Sequence, residues 1–168
     1  MQQAMIDGME TPDDLGYGRG DATPRQLRAQ FGRLLGMAAT HSSRTLGEAL
    51  AEIGARKYHF AVLASLDEFG PSSQAQLSDR TGIYRSDLVA TVNELAGDGH
   101  VRREADPADR RRNVVSMTPA GDERRRQIAE VLARTNDAIL APFDPAEREQ
   151  FAALLHRLND HLAPRGKW

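Results

Sequence analysis

Residues 73–117 read SQAQLSDRTGIYRSDLVATVNELAGDGHVRREADPADRRRNVVSM, and the hydrophobic period changes inside this segment. Ser73 followed by Gln76 is a capping box. It opens a short helix with Ala75 and Leu77 inward. Gly82 stops that helix and supplies the positive φ that a tight helix-to-helix turn needs. Ile83, Leu88, Val92 and Leu95 then recur at helical spacing as far as Gly97-Asp98-Gly99. Beyond the glycines the pattern shortens. Val101–Ala105 and Asn113–Met117 read as two short strands. The polar run Asp106-Pro107-Ala108-Asp109-Arg110-Arg111-Arg112 joins them as a hairpin loop.

Working outward, Thr23-Pro24-Arg25-Gln26 reads as a cap, a first-turn proline and a capping-box partner. Apolar residues follow at Leu27, Phe31, Leu34, Leu35, Ala38, Leu46, Ala49, Leu50 and Ile53, which predicts one long amphipathic helix over 24–53, ended by Gly54. A second helix runs through Tyr58, Ala61, Val62 and Leu66 to Gly70-Pro71. After the strands, Thr118-Pro119 starts a helix with Ile128, Val131, Leu132, Thr135 and Ile139 on one face. Asp144-Pro145-Ala146-Glu147 starts a last helix with Phe151, Leu154, Leu155, Leu158 and Leu162 inward, ended by Pro164. The expected fold is mainly α with a small β-wing: a winged helix-turn-helix flanked by N- and C-terminal dimerisation helices. The expected organisation is a flexible tail over 1–22, a dimerisation helix over 23–56, the winged helix-turn-helix over 57–118 and C-terminal dimerisation helices over 119–168. Gly16, Gly18 and Gly20 follow no strand, so they belong to the tail and not to a phosphate loop.

Composition narrows the function classes. The chain has 168 residues, 40% hydrophobic and 27% charged, which suits a globular protein. Its net charge is −2, so nucleic-acid contact has to come from a local basic patch and not from bulk charge. It contains no cysteine, which removes disulfides, thiolate metal sites and cysteine nucleophiles. No apolar run approaches the ~20 residues of a membrane span, and no export signal is visible, so a cytoplasmic protein without membrane contact is expected. No nucleophile elbow, phosphate loop, zinc-protease helix or carboxylate pair is present, so no enzyme and no cofactor are expected. His156 and His161 lie five apart, roughly 140° around a helix, and do not form a metal pair.

The physics of the central segment suits duplex DNA. The helix over 84–95 has one apolar face. Its other face offers Tyr84, Arg85, Ser86, Val89, Ala90 and Asn93 to a major groove. Arg110, Arg111 and Arg112 crown a two-strand stem that can lay guanidinium groups on phosphates or into a minor groove. Arg102 and Arg103 alternate faces of their strand, so one of them faces DNA. Arg124, Arg125 and Arg126, at the start of a helix, read as a solvated face. The helices over 24–53 and 118–162 carry stripes too long for a winged-helix core of ~60 residues and need a partner, most simply a second copy.

The stretch LSDRTGIYRSDLVATVNELAGDGHVRREADPADRRRNVVSMTPAG resembles the MarR (multiple antibiotic resistance regulator) family. The markers are the run from Leu77 to Gly82, the wing pattern Asp106-x-x-Asp109-Arg110-Arg111 and the helix start Thr118-Pro119-Ala120-Gly121. The likeness extends over about residues 24–162. It implies a homodimeric, sequence-specific regulator of transcription on a pseudo-palindromic operator, a repressor released by a small ligand. It implies that Arg111 reaches the minor groove, oriented by Asp109, and that Arg85 touches phosphate or base. The chain departs from the pattern at Tyr84, where the family often has Ser or Asp, and at Ala90, where a basic residue is common. Asp87 is read as capping the recognition helix, in preference to accepting from a cytosine amine. The resemblance also implies a ligand crevice beside the first two helices, with His41, Arg44, His59 and Leu63 as its lining. There Arg44 would pair the carboxylate of an aromatic or carboxylated effector and His59 would donate to it. The competing reading is a winged-helix adaptor for proteins that has no specific DNA binding.

Overall fold

The structure, a computed structural model, describes residues 23–105 and 113–163. The expected tail over 1–22, the loop that holds Asp109, Arg110, Arg111 and Arg112, and Pro164 lie outside the described residues. Seven helices and two strands follow in order among the described residues: α1 (Arg25–Arg28), α2 (Phe31–Glu52), α3 (His59–Phe69), α4 (Gln74–Thr81), α5 (Arg85–Gly97), β1 (Val101–Ala105), β2 (Asn113–Met117), α6 (Pro119–Ile139) and α7 (Pro145–Leu162). The chain forms two compact units, one up to Ser43 and one from Arg44.

In the first unit the expected single helix is broken. The four-residue α1 stops at Ala29, and α2 starts where the Gln30 carbonyl accepts from the Leu34 amide. The expected Thr23–Gln26 capping box does not form, because Pro24 takes the N-cap position and makes no side-chain cap. Nothing in α1 is buried, so no packing holds this turn in line with α2. Gly32 and Gly36, early in α2, weaken helix propagation there.

The second unit is built around a contiguous core. Val62, Leu63 and Leu66 of α3, Leu77 of α4, Leu88, Val92 and Leu95 of α5, and Ile128 of α6 meet with Leu50, Ile83, Val101 and Val115. α3, α4 and α5 therefore hide the apolar stripes their periods announce. Ala75 is the exception on α4, being exposed beside the buried Leu77. Three caps form as the sequence signals. Ser73 Oγ accepts from the Gln76 amide while Gln76 Oε1 accepts from the Ser73 amide. Thr118 Oγ1 accepts from the Gly121 amide, and Asp144 and Glu147 complete a reciprocal box.

β1 and β2 pair antiparallel, with Val101 opposite Met117 and Ala105 opposite Asn113. Ser72, just before α4, forms an isolated bridge to Val115 through two hydrogen bonds of 2.8 and 3.0 Å. The Ser72 hydroxyl also accepts from Arg80 at 2.8 Å, and the Arg80 guanidinium lies 4.3 Å from the centre of the Phe69 ring.

The inward placement expected for the last helix is not met. No residue of α7 is buried; Phe151, Leu154 and Leu162 are exposed, and Leu155 and Leu158 are half-buried. Among the described residues nothing covers this stripe. Phe143 and Phe151 stack on each other with ring centres 5.5 Å apart.

Candidate nucleic-acid interface

The turn between α4 and α5 is fixed from several directions. Gly82 caps α4 at φ 67°, ψ 11°, the left-handed region that favours glycine. Its amide donates to the Ser78 carbonyl at 2.9 Å, and the Ser78 hydroxyl donates to the Ile83 carbonyl at 2.7 Å. Thr81 Oγ1 donates back to the Leu77 carbonyl at 2.6 Å. Ile83 is buried and anchors the crossing, so α5 leaves it in one direction only.

α5 then presents two faces. Leu88, Thr91, Val92 and Leu95 turn inward. Ser86, Val89, Ala90 and Asn93, at spacings of three and four, form an exposed stripe, with Tyr84 and Arg85 exposed at its N-terminal end. Tyr84 is 70% exposed and Val89 43%, which leaves both available to a partner. All six expected α5 residues thus lie on one accessible face. Two open clefts flank Arg85. One, of about 580 Å³, is lined by Ser78, Asp79, Ile83 and Tyr84; the other, of about 230 Å³, by Gln74, Ala75, Leu88 and Val89.

Tyr84 occupies the N-cap of α5 and makes no side-chain cap, as expected where Ser or Asp is replaced. Asp87 sits in the first turn, where a negative charge favours the helix start electrostatically, but the hydrogen-bonded cap expected of it is absent.

Beside the stripe stands the wing stem. Arg102 Nε lies 3.0 Å from Glu104 Oε2 on the strand's other side. The Ser116 hydroxyl donates to Glu104, and this bond, with the Arg102 charge, holds the Glu104 carboxyl below the usual carboxylate range. Arg103 faces α5 instead, and its Nη2 donates to Asn93 Oδ1 at 2.5 Å. Of the expected solvated face only Arg126 is exposed, paired with Asp122; Arg125 is half-buried between Asp122 and Asp67, and Arg124 is half-buried with its Nη2 donating to the Ile53 carbonyl at 2.5 Å.

A second tie runs from α3 to α5. His59 is buried and its Nε2 lies 3.1 Å from Glu94 Oε2, while Arg56 Nη1 lies 2.5 Å from Glu94 Oε1. The Arg56 amide approaches His59 Nδ1 at 3.3 Å. Of the four residues expected at an effector crevice, Leu63 is fully buried in the core and His59 is held in this network. Arg44 is exposed beside Glu48 at 4.0 Å, and His41 is exposed on α2. Among the described residues no group of three or more His, Asp or Glu could hold a metal ion, and no helix is long and apolar enough to cross a membrane.

Sequence reasoning missed Glu94, Arg56 and the Arg103–Asn93 pair. Each joins residues 10 to 38 positions apart. The strand alternation of Arg102 and Arg103 was the one available hint, since it puts a single arginine on the α5 side.

Comparison with known proteins places this geometry. The model of the MarR family matches residues 54–112. The HTH-type transcriptional repressor NicR of Pseudomonas putida is 30% identical over 101 residues, which cover 60% of this chain and 64% of that protein. The match therefore spans less than two thirds of that relative's length. A probable transcriptional regulator from Pseudomonas aeruginosa is 31% identical with a TM-score of 0.70, over 79% of this chain and 98% of that one. The PcaV transcriptional regulator from Streptomyces coelicolor, solved in complex with its natural ligand, is 25% identical with a TM-score of 0.68, over 82% of this chain and 97% of that one.

Proposed function

Because this chain belongs to the MarR family, we propose that it is a homodimeric repressor of transcription that binds a pseudo-palindromic operator and is released by a small ligand. The observation that carries this reading is the exposed α5 stripe, Ser86, Val89, Ala90 and Asn93, led by Tyr84 and Arg85 and standing beside a two-stranded stem. A helix of this kind fits a major groove. Val89 and Ala90 suit thymine methyls, while Arg85, Ser86 and Asn93 offer hydrogen bonds to phosphate or base edges. Arg110, Arg111 and Arg112 are assigned to the wing contact, with Asp109 orienting Arg111. The uncovered stripe of α7, together with the exposed Leu27, Phe31 and Leu34, supports pairing with a second copy. That pairing sets two α5 helices against two half-sites, one DNA turn or a multiple apart.

The repressor role follows from the likeness to the transcriptional repressor NicR, and the ligand from the likeness to PcaV, solved in complex with its natural ligand. The effector class is an aromatic or carboxylated small molecule, with the exposed Arg44 as the group to pair a carboxylate.

The test is binding of the purified protein to the DNA upstream of its own coding region across a salt series. A steep loss of affinity with salt is expected. Arg111→Ala should weaken binding by roughly 1–3 kcal/mol and reduce the salt slope by about one. Absence of binding at low salt would favour the protein-adaptor reading, and wild-type affinity for Arg111→Ala at physiological salt would remove the wing from the interface.

A further inference from the structure

We propose that Arg103 is a positioning residue that sets the base preference of Asn93, turning it from an adenine reader into a reader of guanine or thymine. The inference rests on the DNA-binding reading above. Val101 and Arg103 lie two apart on β1 and therefore on one side of the strand. Val101 is buried in the core, so Arg103 projects along the same side over α5, where its Nη2 meets Asn93 Oδ1 at 2.5 Å. Both side chains are exposed at the outer surface of the stripe. Glu104, the nearest acid on the strand, is taken by Arg102 and Ser116, which leaves the Arg103 guanidinium to the amide.

The chemistry of the pair is directional. A guanidinium has donors only, so the amide must turn its oxygen to Arg103 and its two N–H groups away. An unrestrained asparagine reads adenine with both atoms, accepting from N6 and donating to N7. Here one lone pair of the oxygen is taken, and an adenine amino group approaching the other also meets the guanidinium, donor against donor. Guanine, with N7 and O6, and thymine, with O4, present acceptors to the outward N–H groups; adenine N6 and cytosine N4 present donors near that edge. The Arg103–Asn93 pair is thus a donor surface.

The experiment is selection from a pool of randomised duplexes with the full-length dimer, read by sequencing. Wild type is expected to enrich guanine or thymine at one position per half-site. Arg103→Met frees the amide and should shift the ratio at that position toward adenine by about fivefold or more. Arg103→Lys, which still donates to Oδ1, should keep the parent preference. Asn93→Ala should lose the preference there, and adding Arg103→Met to it should change nothing further at that position. Thermal melting of each variant checks that the exposed substitutions leave the fold intact. If Arg103→Met weakens all sequences equally and leaves the base ratio unchanged, Arg103 is a phosphate contact and the proposal is overturned. If wild type enriches no sequence at all, the DNA-binding reading falls as well, which separates the two failures.

Discussion

Replacing Gly121 by alanine should destabilise this protein, although glycine to alanine inside a helix ordinarily stabilises by up to about 1 kcal/mol. Gly121 is buried in the first turn of α6. A Cβ built there would stand 2.0 Å from the His100 carbonyl oxygen and 2.9 Å from Met117 Cγ. An ordinary carbon-to-oxygen contact is about 3.3 Å or more. The helix would have to retreat by more than an ångström from a backbone atom that cannot rotate away. That retreat pulls on the His100 carbonyl, which accepts from the Thr118 amide at 3.0 Å, and on the Thr118 hydroxyl, which donates to the Gly99 carbonyl at 2.8 Å. Overpacking of this kind costs about 1–3 kcal/mol and a disturbed cap about 1 kcal/mol more. After the gain in helix propensity, a net loss of roughly 1–3 kcal/mol is expected. Urea denaturation followed by circular dichroism measures it, with Gly97→Ala, where nothing lies within 4 Å of the new carbon, as the neutral-to-stabilising control. A Gly121→Ala protein as stable as its parent would refute the reasoning.

Burial and then the Arg124 charge lower the pKa of His100 below its ordinary 6.5. The unfolded chain therefore binds this proton more readily than the native one, and stability should fall as pH drops below about 6.5; the melting temperature of His100→Gln should decline less between pH 7 and 5, and an identical decline would remove His100 as the cause. Glu104 and Asp122, both held low by hydrogen-bonded partners, should lose their contributions only at more acid pH. The proposed pairing predicts that Leu154→Glu together with Leu162→Glu, both exposed on α7, converts a parent dimer to a monomer by light scattering; a double variant with the parent's dimeric mass would place the interface elsewhere. Ser73→Ala removes the acceptor of the α4 cap and should cost about 1 kcal/mol in denaturation; an unchanged midpoint would show that the Gln76 side chain suffices.

The sequence announced what is local. The Ser73, Thr118 and Asp144 caps, the Gly82 turn and the bounds of β1 and β2 each depend on residues within a few positions of one another, and all appear in the structure. The Thr23 signal had the same local form and failed, because a cap stabilises only a helix that something else retains, and α1 buries nothing. The α7 stripe was legible as apolar, and its length against a small winged-helix core already called for a partner; periodicity alone gave the inward placement that the single chain does not show. The α5 face was legible because its complement, Leu88, Val92 and Leu95, had to be inside. The side-chain ties that set its chemistry, Arg103 to Asn93 and His59 with Arg56 to Glu94, were not. They depend on how α3 and β1 come to lie against α5, which composition and spacing do not encode.

The Ser72–Val115 bridge has a mechanical meaning. Two hydrogen bonds in parallel splice Ser72, just ahead of the α4 cap, onto the second strand of the stem, and the Ser72 hydroxyl adds Arg80 from the end of α4 to the same joint. A push on the strands is thereby delivered directly to the root of α4, and through the Gly82 elbow to α5. The wing stem cannot swing as a free flap while the helices stay put; shear between them would have to break the splice. Helix and stem are consequently coupled at this joint, so that a displacement of one arm is carried to the other.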